Sequence, residues 1–105
     1  MINPPAKMLL IFIDQTDDWH NTPLYEAIVR VLESNGIAGV TVLSGIMGYG
    51  IHRLIHRKGL LGLSDEKPLT IVVIDNEQKL RAVLPTIRPM VCEGLIGFSD
   101  FEIVP

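Results

Sequence analysis

The chain has 105 residues, of which 48% are apolar and 20% charged, so it is suited to one small domain with its own core and not to a disordered segment. Its formal charge of −3 argues against general nucleic-acid binding, and apolar runs such as Met8 to Ile13 are far too short to cross a bilayer.

The N-terminus shows no basic region leading into a long apolar stretch, so a cytoplasmic protein is expected. The single cysteine, Cys92, has no intramolecular partner, which suits a reducing compartment. Set among apolar neighbours, it is expected to be an inert thiol in the core.

Lys7 to Ile13 is the first β-rich run, closed by Asp14. Asp14, Asp17, Asp18, Trp19 and His20 then form a polar cluster ahead of a helix. Asp18 and His20 have the chemistry of an acid/base pair, but such residues also serve helix capping. Trp19 and Tyr25 suit either packing or stacking on a planar ligand. For the helix itself, Thr22 is the expected N-cap, Pro23 suits the first turn and Glu26 complements the dipole. Leu24, Ala27, Ile28, Val31 and Leu32 share one apolar face, and Asn35-Gly36 stops the helix. A second strand is predicted over Val40 to Leu43.

From Ser44 to Lys67 runs a connection longer than compact domains usually carry, and such loops are often functional. Gly45, Gly48 and Gly50 lead into His52, Arg53, His56, Arg57 and Lys58, a concentration of positive charge in an acidic chain. Beside flexible backbone, those cations suit a phosphate or other anion, or else form a solvated linker. A short helix over Ile51 to Lys58 would place His52 and His56 on one side, within reach of a shared metal together with His20. No Gly-Lys-Ser/Thr follows the glycines, which excludes a P-loop, and Arg53 stands where a zincin needs its glutamate. No serine, threonine or cysteine sits in a nucleophile elbow, so covalent catalysis has no candidate.

Leu69 to Ile74, closed by Asp75, is the third strand. The second helix is expected to begin near Asp75 or Asn76, with Leu80, Val83, Leu84, Ile87 and Val91 on one face and a bend at Pro85. Gly94-Leu95-Ile96-Gly97-Phe98 repeats the pattern of Gly36-Ile37-Ala38-Gly39-Val40, and a last strand is predicted over Phe98 to Val104.

The order strand, helix, strand, repeated once, implies an α+β, ferredoxin-like βαββαβ sandwich with a four-stranded antiparallel sheet and both helices on one face. Met8, Leu10 and Phe12 alternate with Leu9, Ile11 and Ile13, yet both sets are apolar. A strand apolar on both faces in a two-layer fold needs a cover, and sister subunits would provide it.

Asp18-Trp19-His20-Asn21-Thr22-Pro23-Leu24-Tyr25-Glu26, Gly36-Ile37-Ala38-Gly39-Val40-Thr41-Val42 and Gly45-Ile46-Met47-Gly48-Tyr49-Gly50 resemble an uncharacterised bacterial and archaeal family, domain of unknown function 190, described as PII-like. Ile55-His56, Pro68-Leu69-Thr70-Ile71 and Glu93-Gly94-Leu95 continue the match over nearly the whole chain. The resemblance implies a single domain over 1–105 that assembles as a homotrimer with inward-facing sheets. It also implies an adenine nucleotide bound in clefts between subunits and a 44–67 loop that docks on a target such as a transporter or an enzyme. PII proteins hold phosphates with a glycine- and lysine-rich turn before the last strand. Here 88–97 offers Arg88 and glycines but no lysine, and Glu93 is acidic.

The expected function is therefore a non-catalytic, PII-like sensor for AMP, ADP, ATP or cyclic AMP. Its expected ligand-binding residues are Gly45, Gly48, Tyr49, Gly50, His52, Arg53, His56, Arg57, Lys58, His20, Trp19 and Arg88, with no metal site and no nucleic-acid partner. Two alternatives are a trimeric histidine-based metal module similar to CutA-type proteins and a small hydrolase using Asp18 and His20.

Overall fold

The computed structural model describes residues 2–49, 55–56 and 67–105. In chain order these form β1 (Ala6–Asp14), β2 (Asp18–Trp19), β3 (Thr22–Pro23), α1 (Leu24–Ser34), β4 (Gly39–Ser44), β5 (Gly48–Tyr49), β6 (Ile55–His56), β7 (Pro68–Asn76), α2 (Glu77–Ile87), a 3₁₀ turn (Arg88–Met90) and β8 (Leu95–Asp100). The main sheet has the order β4-β7-β1-β8, with every neighbouring pair antiparallel. Without the two small hairpins, this is the expected ferredoxin-like βαββαβ fold.

Register explains the layering. Leu9, Ile11 and Ile13 of β1 lie opposite Val73, Ile71 and Leu69 of β7, and all six are buried. Leu24, Ile28 and Leu32 of α1 and Leu80, Val83 and Ile87 of α2 pack on them, each set at helical spacing. Burial of each such aliphatic side chain contributes about 1.5–3 kcal/mol, so this single layer supplies most of the hydrophobic drive.

On the other sheet face lie Met8, Leu10 and Phe12, with Thr70, Val72 and Ile74 opposite them. No described helix covers that side. One row across it, Leu43–Thr70–Phe12–Leu95, leaves Leu43, Phe12 and Leu95 exposed.

Several local expectations change. Thr22 is not a helix cap: it pairs with Trp19 in the β2–β3 hairpin, and the Leu24 N–H donates to the Asp17 carbonyl at 2.8 Å. Pro23 takes the N-cap position with no side-chain cap bond. Asn76 does cap α2, accepting from the Lys79 N–H at 2.8 Å. Pro85 sits in the last turn of a single helix that tightens into the 3₁₀ turn, so the apolar face continues to Met90 and Val91.

The last strand runs over Leu95–Asp100 instead of Phe98 to Val104. Its pairing with β1 stops at Lys7↔Asp100 because Pro5 and Pro4 follow beyond Ala6 and have no N–H to donate. Cys92 is exposed, not in the core, because the turn after Val91 carries it to the surface. Ile55–His56 pairs with Gly48–Tyr49 as a strand, so these two residues are not helical, contrary to expectation; the rest of 51–58 lies outside the described residues.

Candidate functional site at the loop-bearing end of the sheet

The topology gathers three connections at one end of the sheet. Asp14 lies opposite Pro68, Ser44 opposite Leu69 and Phe12 opposite Leu95. The turn leaving β1, both ends of the 44–67 loop and the turn entering β8 therefore all emerge there.

Backbone contacts fasten the three together. The Gly45 N–H donates to the Pro68 carbonyl at 2.7 Å, and the Gln15 N–H to the Lys67 carbonyl at 2.9 Å. A Cβ on Gly45 would lie 2.8 Å from Pro68 Cγ, so a glycine lets the two loop ends approach. On the other side, a Cβ on Gly94 would come within 2.3 Å of the Phe12 carbonyl oxygen, so a glycine lets the 88–94 turn approach β1 closely.

The polar cluster after β1 is mainly architectural. The Asp14 carboxylate accepts from the Thr16 N–H and hydroxyl, both at 3.1 Å, and the Asp17 carboxylate accepts from the Asp14 N–H at 2.9 Å. His20 and Asn21 have φ of 50° and 65° and form the two-residue turn of the β2–β3 hairpin. Positive φ at both central positions is what a type I′ hairpin turn requires. The hairpin sets the Trp19 and His20 rings 4.4 Å apart at their centroids, with Trp19 against the core.

Arg88 begins the 3₁₀ turn, and its Nη1 donates to the Val91 carbonyl at 2.9 Å. That bond orients the guanidinium over the 88–94 turn and leaves most of its N–H groups for other acceptors. Tyr49, Ile46 and Met47 are highly exposed on the loop arm.

Trp19, His20, Gly45, Gly48, Tyr49 and Arg88 thus belong to segments that meet at this end. His56 lies in β6, its backbone opposite Gly48. Gly50, His52, Arg53, Arg57 and Lys58 lie outside the described residues. Among the described residues, no three His, Cys, Asp or Glu side chains are grouped to hold a metal, and no helix is long and apolar enough to cross a membrane. Sequence reasoning missed the Gln15–Lys67 tie and the closeness of Gly94 to Phe12. The first is a backbone contact with no residue signature, whereas Gly94 itself was a visible signal.

Residues 6–103 match the profile of the DUF190 family, described as "Uncharacterized ACR, COG1993". The chain belongs to that family. Among its relatives is a UPF0166 protein of Methanocaldococcus jannaschii, 32% identical over 99 residues, spanning 93% of this chain and 91% of the relative. A UPF0166 protein of Aquifex aeolicus is 30% identical over 98 residues, spanning 93% and 92%. The fold is PII-like. It is similar to CPII from Thiomonas intermedia K12, a nitrogen regulatory PII-like protein bound to ADP, AMP and bicarbonate, with a TM-score of 0.69 at 19% identity over 93% of this chain and 87% of that one. It is also similar to a structure described as a PII-like signaling protein from Thermus thermophilus, with a TM-score of 0.66 at 14% identity over 94% and 89%.

Proposed function

We propose that this DUF190 protein is a cytoplasmic PII-like sensor without catalytic activity that binds an adenine nucleotide at the loop-bearing end of its sheet. The reading rests on one observation: in a PII-like fold, the 44–67 loop, the 88–94 turn and the β2–β3 hairpin converge at that end. Sister subunits of a homotrimer, packed on the open sheet face, would complete the clefts. In this reading Arg88, His20, Trp19, Gly45, Gly48 and Tyr49 line one wall, and Gly50, Arg53, Arg57 and Lys58, further along the same loop in sequence, would supply close backbone approach and charge for a short phosphate tail. His52 and His56 extend that cationic stretch.

Switching needs only unequal ligand affinity for two loop conformations, after which the loop would engage a transporter or an enzyme. Calorimetry with ATP, ADP, AMP and cyclic AMP, each with and without bicarbonate, tests the proposal. Binding tighter than millimolar by at least one nucleotide is expected. No heat of binding from any of the four at millimolar ligand removes the sensor reading.

A further inference from the structure

We propose that Trp19 and His20 hold the base of the nucleotide and leave its phosphate to the Arg88 turn. The inference rests on the sensor reading above and divides that ligand between two surfaces. The β2–β3 hairpin consists of two residue pairs, Asp18↔Pro23 and Trp19↔Thr22, so His20 and Asn21 are its whole connection. Both have positive φ, 50° and 65°, in a turn whose usual sequence is Asn-Gly. Asn21 is at home there, but at position 20 a glycine would close the turn with less steric cost than an imidazole does. A side chain kept at such a cost points to a role beyond the turn.

The imidazole is not spent on the fold. His20 is exposed, and among the described residues its ring makes no hydrogen bond, only the 4.4 Å contact with Trp19. Trp19 is half-buried and packs against the core, which holds the indole in place. The two rings are tilted by 52°, so neither covers the other as a parallel stack would. An anchored indole beside an imidazole with an uncovered face is a platform for a planar base. Stacking there costs little ordering, because the hairpin and the core already hold the rings.

Charge decides which end of the ligand belongs on this platform. Residues 14–22 contain Asp14, Asp17 and Asp18 and no lysine or arginine. Such a segment repels a phosphate and tolerates a neutral base. The Arg88 guanidinium, oriented by the Val91 carbonyl on a separate turn at the same end, has N–H groups to spare for the anionic end. The ligand class so selected has a planar uncharged ring at one end and a phosphate at the other, which excludes sugar phosphates and free phosphate.

Trp19 is the single tryptophan of the chain, so its emission reports on the platform directly. The full chain is titrated with AMP, adenosine and ribose 5-phosphate, with calorimetry alongside. AMP and adenosine should change Trp19 emission, and ribose 5-phosphate should not. His20→Gly and His20→Asn both suit a positive φ and remove the ring. Each should keep the thermal midpoint and weaken AMP binding about tenfold. Unchanged AMP affinity in both variants, or an emission change with ribose 5-phosphate equal to that with AMP, overturns the base platform and leaves the nucleotide reading standing. A midpoint that falls together with affinity in both variants makes His20 a structural residue and likewise overturns the platform alone. No heat and no emission change with AMP or any other nucleotide removes both.

Discussion

Lys79 Nζ sits 2.9 Å from the buried carboxylate of Asp75 and also donates to the Gly36 carbonyl at 2.6 Å, joining the start of α2 to the end of α1. Asp75 further accepts from the Ala38 N–H at 2.9 Å and the Asn76 N–H at 2.7 Å. Burial opposes its ionisation, but the Lys79 ammonium and the two amides outweigh burial and hold its carboxyl below the ordinary value of 3.8. With the folded pKa depressed, the stabilisation is present above the unfolded value and is lost as pH falls below about 4 through the folded value. Asp75→Asn should flatten the acid limb of a stability–pH curve. Asp75→Ala, which strands the Ala38 N–H, should cost about 1–3 kcal/mol at pH 7 in a denaturant titration. A wild-type acid limb in Asp75→Asn would show that other carboxylates set it.

Gly94 is the tightest point of the turn entering β8. An added methyl would meet the Phe12 carbonyl oxygen at 2.3 Å and Val91 Cγ1 at 2.8 Å. Neither backbone β1 nor buried Val91 yields freely, so Gly94→Ala should destabilise by about 1–3 kcal/mol, as overpacking does. Gly97 meets nothing within 4 Å on the open face. Gly97→Ala should therefore leave the denaturation midpoint of the dissociated chain unchanged, and a drop equal to that of Gly94→Ala would contradict this account.

The fold was legible in the sequence because its elements follow from period. Alternation separated Leu9, Ile11 and Ile13 from Met8, Leu10 and Phe12, and the i, i+4 spacing put Ile28 and Leu32 on one helix face. With both strand faces apolar, only the structure shows that the first set meets the helices. The misreadings occurred where a partner distant in sequence decided the outcome. Phe101 to Val104 has strand composition, but whether it pairs depends on Pro4 and Pro5, almost a hundred residues away. Thr22 has cap chemistry, but Trp19 claims its backbone. Cys92 has apolar neighbours in sequence, yet the turn after Val91 exposes it. Of the candidate site, the glycines and Arg88 were visible by type, whereas their convergence with the β2–β3 hairpin required the strand order.

Phe12 tests whether the open face is an assembly surface. It is 40% exposed within the Leu43–Thr70–Phe12–Leu95 row, between half-buried Thr70 and exposed Leu95. Phe12→Asp should leave the fold and its helical signal intact, because the helix-facing core on the other side of β1 is untouched. It should convert an oligomer to single chains in sedimentation, since a charge cannot be buried there without a partner. Retention of the wild-type mass would show that this row faces water in the native protein.

The cationic stretch gives the most direct check on ligand chemistry. Arg88 is oriented by the Val91 carbonyl, and an N–H group aimed at phosphate forms a charge-assisted bond whose loss weakens binding about tenfold or more. Arg88→Ala and the double substitution Arg53→Ala with Arg57→Ala should each weaken nucleotide binding by that factor in calorimetry without lowering thermal stability. Arg30, paired with Glu26 at 2.7 Å on an exposed face of α1, provides the control: Arg30→Ala removes the same charge but should leave affinity unchanged. Equal losses from Arg30→Ala and Arg88→Ala would mean that net charge, and not a located site, attracts the ligand. Rescue of Arg88→Ala by Arg88→Lys would indicate a point-charge contact in place of the bidentate grip that only a guanidinium provides.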